Sequence, residues 1–301
     1  MSFRRAAWIV LAAACCSLGA CHETPEPRLA GLLLAGELNE ASGLAASRKH
    51  RNVLWLLEDG GNPAQLHAIN KRGSRLASFS IEGVANTDWE DLAAFELDGK
   101  SYLLIADTGD NGGLRRTLLL HVIVEPEQLK DGATLRPAWS IAFRWPDGPR
   151  DCEAVAVDAA RKQILLISKK RRPPELFVLP LRPALRGMQT ARRIGRLAGI
   201  PQASAEEERA DPRGARTRRQ VTAAALASDG RTLAVLTYQH LLLYPRRGAE
   251  TWPQATAHPP QVHGVPWLHQ PEALSWAANG RGLYATGEFS PAPLLYVPVQ
   301  P

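Results

Sequence analysis

The chain has 301 residues, of which 45% are apolar, and this length allows one large hydrophobic core or two modest ones. Its formal net charge is +6, a mild excess that does not by itself indicate any class of partner. Helical heptads are absent, whereas 24 glycines and 23 prolines lie scattered between short apolar runs. The composition therefore excludes a coiled coil and predicts an all-β protein with many turns.

The N-terminus contains a processing signal rather than part of the fold. Arg4 and Arg5 precede a short apolar run, residues 6–14, which cannot span a bilayer. The motif that follows, Leu18-Gly19-Ala20-Cys21, resembles the lipobox of bacterial lipoproteins, in which the cysteine is acylated and becomes the mature N-terminus. The resemblance implies lipidation at Cys21 and an extracytoplasmic protein that is held at a membrane.

This motif sets the predicted domain boundaries. Residues 1–20 form the lipoprotein signal peptide, residues 21–27 a tether and residues 28–301 the folded domain. His22 follows the cysteine at a position where an inner-membrane retention signal usually has aspartate, so the outer membrane is favoured over the inner membrane. The alternative is an ordinary secretory signal without an anchor.

Five segments of the chain share a pattern of two polar positions that are two residues apart. Small and aliphatic residues follow these positions in every copy. Alternate residues of a strand point to the same side, so we expect both positions to face one shared polar site. The first positions are Glu40, Asp88, Asp151, Gln220 and Gln270, and the second positions are Ser42, Glu90, Glu153, Thr222 and Glu272.

The spacing of the repeats predicts a β-propeller. The first polar positions recur after 48, 63, 69 and 50 residues, and most repeats contain four predicted strands. The fifth repeat lacks its outermost strand, which the apolar run at residues 29–34 can supply, so that the N-terminal strand closes the ring. Five blades are favoured. Six are possible only if residues 183–219, predicted to be an exposed insertion, contain another blade.

Acidic side chains dominate the two polar positions. The first strand of each propeller blade lines the central channel, so these carboxylates would meet at one mouth. Crowded carboxylates raise one another's pKa, and a cation relieves that cost. Oxygen ligands without histidine or thiolate favour calcium (Ca²⁺). Alternatively, the polar side chains cap strand ends and bond neighbouring backbone amides. The predicted metal ligands are Glu40, Asp88, Glu90, Asp151, Glu153 and Glu272.

The loops after the second strands open at the same mouth. Residues 58–62 and 107–111 match each other, and their glycine and asparagine residues are typical of tight turns. An alternative interpretation makes Glu58, Asp107 and Asp110 additional oxygen ligands. The equivalent loop of the third repeat, residues 169–172, is instead entirely basic.

Basic side chains beside an acidic metal cluster suit an anionic ligand such as phosphate. An ordinary solvated turn is the alternative interpretation of the basic loop. The predicted substrate-binding residues are Asp107, Arg116, Lys169 and Lys170.

The repeat starts resemble known propeller families. The Glu-x-Ser-Gly-Leu motif at Glu40 and the Asp-x-Glu-x-hydrophobic-Ala motifs at Asp88 and Asp151 are similar to those of phytase-like and SdiA-regulated propellers. The phytase-like resemblance implies calcium held by Asp88, Glu90, Asp151 and Glu153, and phosphate held by Lys169. The fourth repeat departs from this pattern, because Gln220 and Thr222 replace acids. Lactonase propellers also place acids and an amide on channel strands, which would assign Glu40, Gln220 and Glu272 instead.

Two functions follow from these features. The favoured function is that of a binding module, because the chain contains no Gly-x-Ser-x-Gly, His-Glu-x-x-His or phosphate-loop motif. The alternative is a metal-dependent hydrolase of phosphoesters or lactones. We expect the partner to be an anionic small molecule or an envelope protein, and not a nucleic acid, because the protein is predicted to be exported. We expect a monomer.

Overall fold

The computed structural model describes residues 26–34, 36, 38–183 and 187–299. The predicted signal peptide, the lipidation site Cys21 and the first part of the tether lie outside the described residues. The chain enters the fold through strand β1 (Arg28–Leu33). The described residues then form five β-sheets, one after the other, with three short helices in the connections.

Each blade has four antiparallel strands, and the fifth blade obtains its fourth strand from β1; blades 1 and 2 each carry in addition a short parallel strand at the outer edge. Blade 1 contains β2 (Ala41–Ala46), β3 (Val53–Glu58), β4 (Gln65–Asn70) and β5 (Arg75–Ile81). Blade 2 contains β6 (Trp89–Leu97), β7 (Lys100–Asp107), β8 (Leu118–Val124) and β10 (Pro137–Arg144), whereas the short strand β9 (Ala133–Leu135) joins β5 in parallel as the fifth strand of blade 1. Blade 3 contains β11 (Ala154–Asp158), β12 (Gln163–Ile167), β13 (Glu175–Pro180) and, after the short strand β14 (Gln189–Thr190), β15 (Arg192–Arg196). Blade 4 contains β16 (Val221–Leu226), β17 (Thr232–Thr237), β18 (His240–Pro245) and β19 (Gln261–Gly264), and blade 5 contains β20 (Pro271–Trp276), β21 (Gly282–Gly287) and β22 (Ala292–Pro298).

The five innermost strands form a closed ring. Strand β2 contacts β6, β6 contacts β11, β11 contacts β16, β16 contacts β20 and β20 returns to β2. The predicted all-β fold and the favoured count of five blades are therefore confirmed.

The N-terminal strand closes the ring, as predicted. Strand β1 pairs antiparallel with β22, in a register that runs from Arg28 opposite Tyr296 to Leu33 opposite Ala292. Leu33 is fully buried in the apolar cluster between blades 5 and 1. The pairing supplies the fourth strand of blade 5, so the outer edge of β22 is not left open.

Residues 183–219 do not hold a sixth blade in their described part. Strand β15 is the outer strand of blade 3, and β14 joins β10 in parallel as a fifth strand of blade 2. The rest of this segment contains two short helices, α1 (Ala205–Ala210) and α2 (Pro212–Thr217). The remaining helix, α3 (Trp252–Thr256), lies in the β18–β19 connection.

The hydrophobic core is divided among the five interfaces between blades. Each of five apolar clusters joins residues of two neighbouring blades. Successive side chains of a strand point to opposite faces of the blade, and each face packs against a different neighbour. Buried tryptophans fill four of these interfaces. They are Trp55 and Trp89 between blades 1 and 2, Trp145 between blades 2 and 3, Trp252 between blades 3 and 4, and Trp276 between blades 4 and 5.

One buried carboxyl group ties three blades together at the channel. The Asp91 side chain on β6 has no exposed surface. Its Oδ2 accepts the backbone N–H of Val155 on β11 at 2.7 Å and of Ala224 on β16 at 3.1 Å, and its Oδ1 accepts the N–H of Leu92 at 2.8 Å. Burial raises the pKa of Asp91 well above its usual range, although the three N–H donors lower it. The group therefore links inner strands that are far apart in sequence.

We expect Asp91→Ala to destabilise the ring, because it leaves the N–H groups of Val155 and Ala224 buried without an acceptor. Each unpaired group costs about 1–3 kcal/mol, so the free energy of unfolding should fall by roughly 3 kcal/mol or more. Urea unfolding measures this change. Glu96→Ala is the control, because Glu96 is an exposed acid on the same strand. Equal stability of the two variants would contradict this role of Asp91.

Candidate metal centre at the channel mouth

The second polar position of each repeat lies at an irregularity of the inner strand. The pairing between the first and second strands shifts register across Ser42, Glu90, Thr222 and Glu272, which are the bulged residues of their blades. In blade 3, Glu153 immediately precedes β11. A bulge redirects a side chain, so the simple alternation expected from sequence does not hold here. All five second positions are buried.

The first polar positions are distributed differently. Asp151 is buried, Asp88 and Gln220 are half-buried, and Glu40 and Gln270 are exposed. The ten side chains therefore do not form one uniform site. The second positions form a buried inner layer, whereas the first positions run from this layer to the solvent-exposed rim.

Hydroxyl groups close three of the junctions between neighbouring blades. Ser42 Oγ donates to the carbonyl of Trp89 at 2.9 Å, and Thr222 Oγ1 donates to that of Pro271 at 2.6 Å. Thr108, which follows β7, makes the same kind of bond to Cys152 at 2.7 Å. Part of the alternative interpretation is thus correct, because the polar column does bond to neighbouring backbone. The acids at the second positions make no such bond in the described structure.

The acids converge at one side of the mouth. Carboxylate oxygens of Glu90, Asp151 and Glu153 lie within 4.8 Å of one another, and all three residues are buried. Asp59 and Asp88 form a second group of the same size with Glu90. We call these five residues the acidic centre. Glu153 Oε2 is buried within it, and no described residue forms a hydrogen bond with this oxygen.

Two lysines neutralise part of the acidic centre. The Lys169 ammonium is buried, is ion-paired with Glu153 and lies 5.3 Å from the centre of the Tyr238 ring. The Lys170 ammonium is 2.8 Å from Asp151 Oδ2 and donates to the carbonyl of Asn111 at 3.0 Å. Five carboxyl groups thus adjoin two ammonium groups, so a fully ionised centre would carry net negative charge.

Burial of this charge makes the acidic centre retain protons. Burial raises the pKa of Glu153 to about 8, with further increase from Asp151, and the adjacent Lys169 only partly offsets this. Burial and then the Glu153 carboxylate raise the pKa of Glu90 well above its usual range. Burial also raises the pKa of Asp59 to about 6. A divalent cation would provide the missing positive charge and release these protons. The all-oxygen donor set and the unpartnered Glu153 oxygen fit such an ion.

Two loop glycines allow the backbone to pass close to the acids. A Cβ at Gly60 would lie 2.7 Å from Asp88 Oδ1, and a Cβ at Gly109 would overlap the carboxylates of Asp88 and Glu90. Neither glycine has positive φ. Glycine at these two positions allows close approach, whereas the turn conformation expected from the sequence occurs at the neighbouring Gly61, which has positive φ.

The residues that follow the second strands contribute further groups, of which the sequence had predicted only Lys169. Glu272 accepts a hydrogen bond from the Tyr238 hydroxyl at 2.5 Å. Burial and a hydrogen bond with Glu288 raise the pKa of Glu272 to about 9. Alignment of the second-strand ends would have identified this layer. Its members, in blade order, are Asp59, Thr108, Lys169, Tyr238 and Glu288.

Several predicted residues lie beside the acidic centre rather than in it. Glu40 is exposed and accepts a hydrogen bond from Asn62 at 2.6 Å. Asp107 is buried and ion-paired with Arg115 at 2.6 Å, whereas Arg116 is exposed. Neither Glu40 nor Glu272 belongs to the two carboxylate groups of the described chain.

The remaining loop acids have structural partners. Glu58 accepts the N–H of Asn39 at 3.1 Å, and its other oxygen lies 3.6 Å from His67 Nε2. Asp110 accepts the N–H of Leu114 at 2.7 Å and donates its own N–H to Asp151 Oδ1 at 2.9 Å. Both carboxylates therefore stabilise the loops that surround the acidic centre.

A basic groove adjoins the acidic centre through the two lysines. It is a cavity of about 320 Å³ between the loop at residues 169–174 and the segment at residues 197–220. Its basic residues are Lys169, Lys170, Arg171, Arg172, Arg216 and Arg219. The loop that was predicted to hold an anionic ligand thus forms one wall of a cavity.

Comparisons with known proteins add no family assignment. No family model matches the chain, and no curated protein is significantly similar to it. The likeness to phytase-like and SdiA-regulated propellers therefore stays a resemblance of short motifs. Among the described helices, none has the length and apolar character needed to cross a membrane.

We expect the free energy of unfolding of the metal-free protein to fall as pH rises from about 5 to about 9. The usual glutamate pKa is about 4.3, whereas Glu153 and Glu272 reach about 8 and about 9 in the fold. Between these values the native state binds protons that the unfolded state has released, so raising the pH favours unfolding. Thermal melting in EDTA across this range measures the effect.

Substitution of one of these acids provides the control for this pH dependence. Glu272→Gln should flatten the curve at its upper end, where Glu272 loses its proton. Glu96→Gln should leave the curve unchanged, because Glu96 is exposed. A stability that rises steadily between pH 5 and pH 9 would contradict proton retention by these buried acids.

Proposed function

We propose that this protein is a lipid-anchored, extracytoplasmic β-propeller that binds calcium at the acidic centre and acts as a binding module. One observation carries the metal assignment. Glu90, Asp151 and Glu153 are buried within 4.8 Å of one another, and one oxygen of Glu153 has no partner. A buried, unpaired carboxylate oxygen is costly unless a proton or a cation satisfies it.

The chemistry of the donors favours calcium over other metals. Every acid in the acidic centre offers oxygen, and Ca²⁺ accepts six to eight oxygen ligands in flexible geometry. Mg²⁺ is less suitable because it requires near-ideal octahedral geometry and retains several waters. Water or ligand oxygens would complete a coordination shell that begins with Glu90, Asp151 and Glu153.

The lipid anchor rests on the motif at residues 18–21. The tether predicted after Cys21 leads directly to β1, and β1 is the outer edge strand of blade 5. Attachment at this outer edge would leave the channel mouth accessible to a partner. The outer membrane is the proposed location, since His22 stands in place of a retention signal.

A binding role agrees with the groups at the mouth. Carboxylates, two lysines and Tyr238 dominate its described part, where no hydroxyl or thiol nucleophile is hydrogen-bonded to a histidine. Cys152 is fully buried, and burial raises the pKa of its thiol, so it is not available as a nucleophile. Propellers commonly serve as rigid platforms for ligands, although the fold by itself decides no function.

We expect the purified protein to bind calcium with a stoichiometry of one, as measured by isothermal titration after EDTA treatment. Saturating calcium should raise the melting temperature, because the ion binds only the native state. Glu153→Gln should weaken binding at least tenfold, since it removes a ligand charge. Glu96→Gln should bind like the unmodified protein. Undetectable binding at millimolar calcium would refute the metal assignment.

A second function, metal-dependent hydrolysis of phosphoesters, is favoured by one specific observation. The acidic centre and the basic groove share Lys169 and Lys170, so a phosphate in the groove would lie beside a metal in the centre. A metal ion can polarise a phosphoryl oxygen and activate water, while basic groups stabilise the developing charge. No contact in the described structure supports the lactonase assignment of Glu40, Gln220 and Glu272.

If the hydrolase proposal is correct, p-nitrophenyl phosphate should be hydrolysed in the presence of calcium. Glu90→Gln should lower kcat/KM at least a hundredfold, because Glu90 belongs to both carboxylate groups. Release of p-nitrophenolate measures the rate, and Glu96→Gln is the control. Calcium binding without turnover with any divalent ion would leave the binding module as the function.

A further inference from the structure

The basic groove has a composition that the acidic centre does not explain. One wall is the loop of blade 3 at residues 169–174, and the other is formed by residues 197–200 together with α2 and the residues that follow it. Apolar groups of Pro173, Ala198 and Ile200, which are exposed or half-buried, line part of the surface. The remainder is strongly basic, so the groove combines an apolar surface with concentrated positive charge.

Three arginines from two segments of the chain meet in this groove. An Arg172 guanidinium nitrogen donates to the carbonyl of Arg216 at 3.2 Å, which fixes the blade 3 loop against α2. The Arg219 side chain is only 11% exposed and is held by the carbonyl of Ala215 at 2.9 Å and by Gln202. The Arg216 Nε donates to the carbonyl of Pro212 at 3.1 Å. Backbone carbonyls therefore hold the three side chains without neutralising them.

The positive charge of the arginines is poorly compensated. Glu208 lies 3.4 Å from Arg219 and is the one acid ion-paired with these three arginines in the described structure. Burial, followed by the charges of Arg219 and Arg216, lowers the pKa of Arg172 below its usual value. Like charges held together by the fold incur a repulsion that an anion would remove.

We infer that the basic groove binds a small organic phosphate, with the phosphate on Arg172, Arg216 and Arg219 and its organic part against Pro173, Ala198 and Ile200. Guanidinium groups match phosphate oxygens in charge and in donor geometry. The volume of about 320 Å³ suits a small molecule rather than a polymer. The inference names a ligand class for the proposed binding module and rests on that binding role, but it does not require the metal.

The test uses the purified protein in EDTA at low salt, with isothermal titration of inorganic phosphate and of phenyl phosphate. We expect both anions to bind, phenyl phosphate more tightly, because its ring adds apolar contact with the groove. Arg216→Gln and Arg172→Gln should each weaken phenyl phosphate binding about tenfold. Arg213→Gln is the matched control, because Arg213 is an exposed arginine of the same helix that does not line the groove.

The outcomes separate this inference from the calcium proposal. Arg216→Gln should retain normal calcium binding. Loss of anion binding can therefore be distinguished from loss of calcium binding. The inference would be overturned if neither inorganic phosphate nor phenyl phosphate bound at millimolar concentration. It would also be overturned if Arg213→Gln weakened binding as much as Arg216→Gln, because binding would then reflect general surface charge.

A second experiment, with lipid vesicles, identifies whether the phosphate belongs to a lipid headgroup or to a soluble ligand. Phosphatidylcholine vesicles, with and without phosphatidic acid, are sedimented with the Cys21→Ser variant, in which no acyl anchor contributes to binding. Retention that requires phosphatidic acid, is displaced by phenyl phosphate and is lost in Arg216→Gln supports the inference with a lipid headgroup as the source. Phenyl phosphate binding without retention on vesicles supports it with a soluble ligand.

Discussion

Convergence of five inner strands on one channel is the constraint on which the rest of this structure depends. It brings residues from five distant parts of the sequence within a few ångströms, and their polar groups must be satisfied there. Asp91 accepts backbone N–H groups from two other blades, and hydroxyl groups close three neighbouring junctions. These bonds fix the inner strands against each other. The acids that do not take part in them are left facing one another at the mouth.

The negative charges of the acidic centre are only partly balanced by positive ones. Lys169 and Lys170 pair with Glu153 and Asp151, but none of the other three carboxyl groups is ion-paired within the described part of the chain. Burial raises the pKa of Glu90, Glu153 and Asp59. The basic groove has the opposite imbalance, since three arginines are ion-paired with one acid. The two regions meet at the lysines. These opposite imbalances are the basis of the two separate proposals, a cation at the acidic centre and an anion in the basic groove.

The sequence predicted the architecture more completely than it predicted the acidic centre. Strand-length apolar runs at propeller spacing predicted five blades and the closing strand, because these features depend on local patterns that recur. The acidic centre was predicted in part. Glu90, Asp151 and Glu153 do meet, but Glu40 is exposed at the rim, where it accepts a hydrogen bond from Asn62. Asp59 and Tyr238 were overlooked because they follow second strands, where the repeats share no residue type.

By itself, then, the sequence determined the fold class, the number of repeats and the types of chemical group available at the channel. Strand period, turn residues and repeat length are local properties, so they can be recognised in the amino-acid sequence. Only the tertiary structure decided which acids share a pocket, that Lys169 is buried as a counter-ion, and that Arg172 meets Arg216 and Arg219 in a groove. These relations depend on bulges, loop paths and contacts between blades, which bring together residues that no local pattern connects.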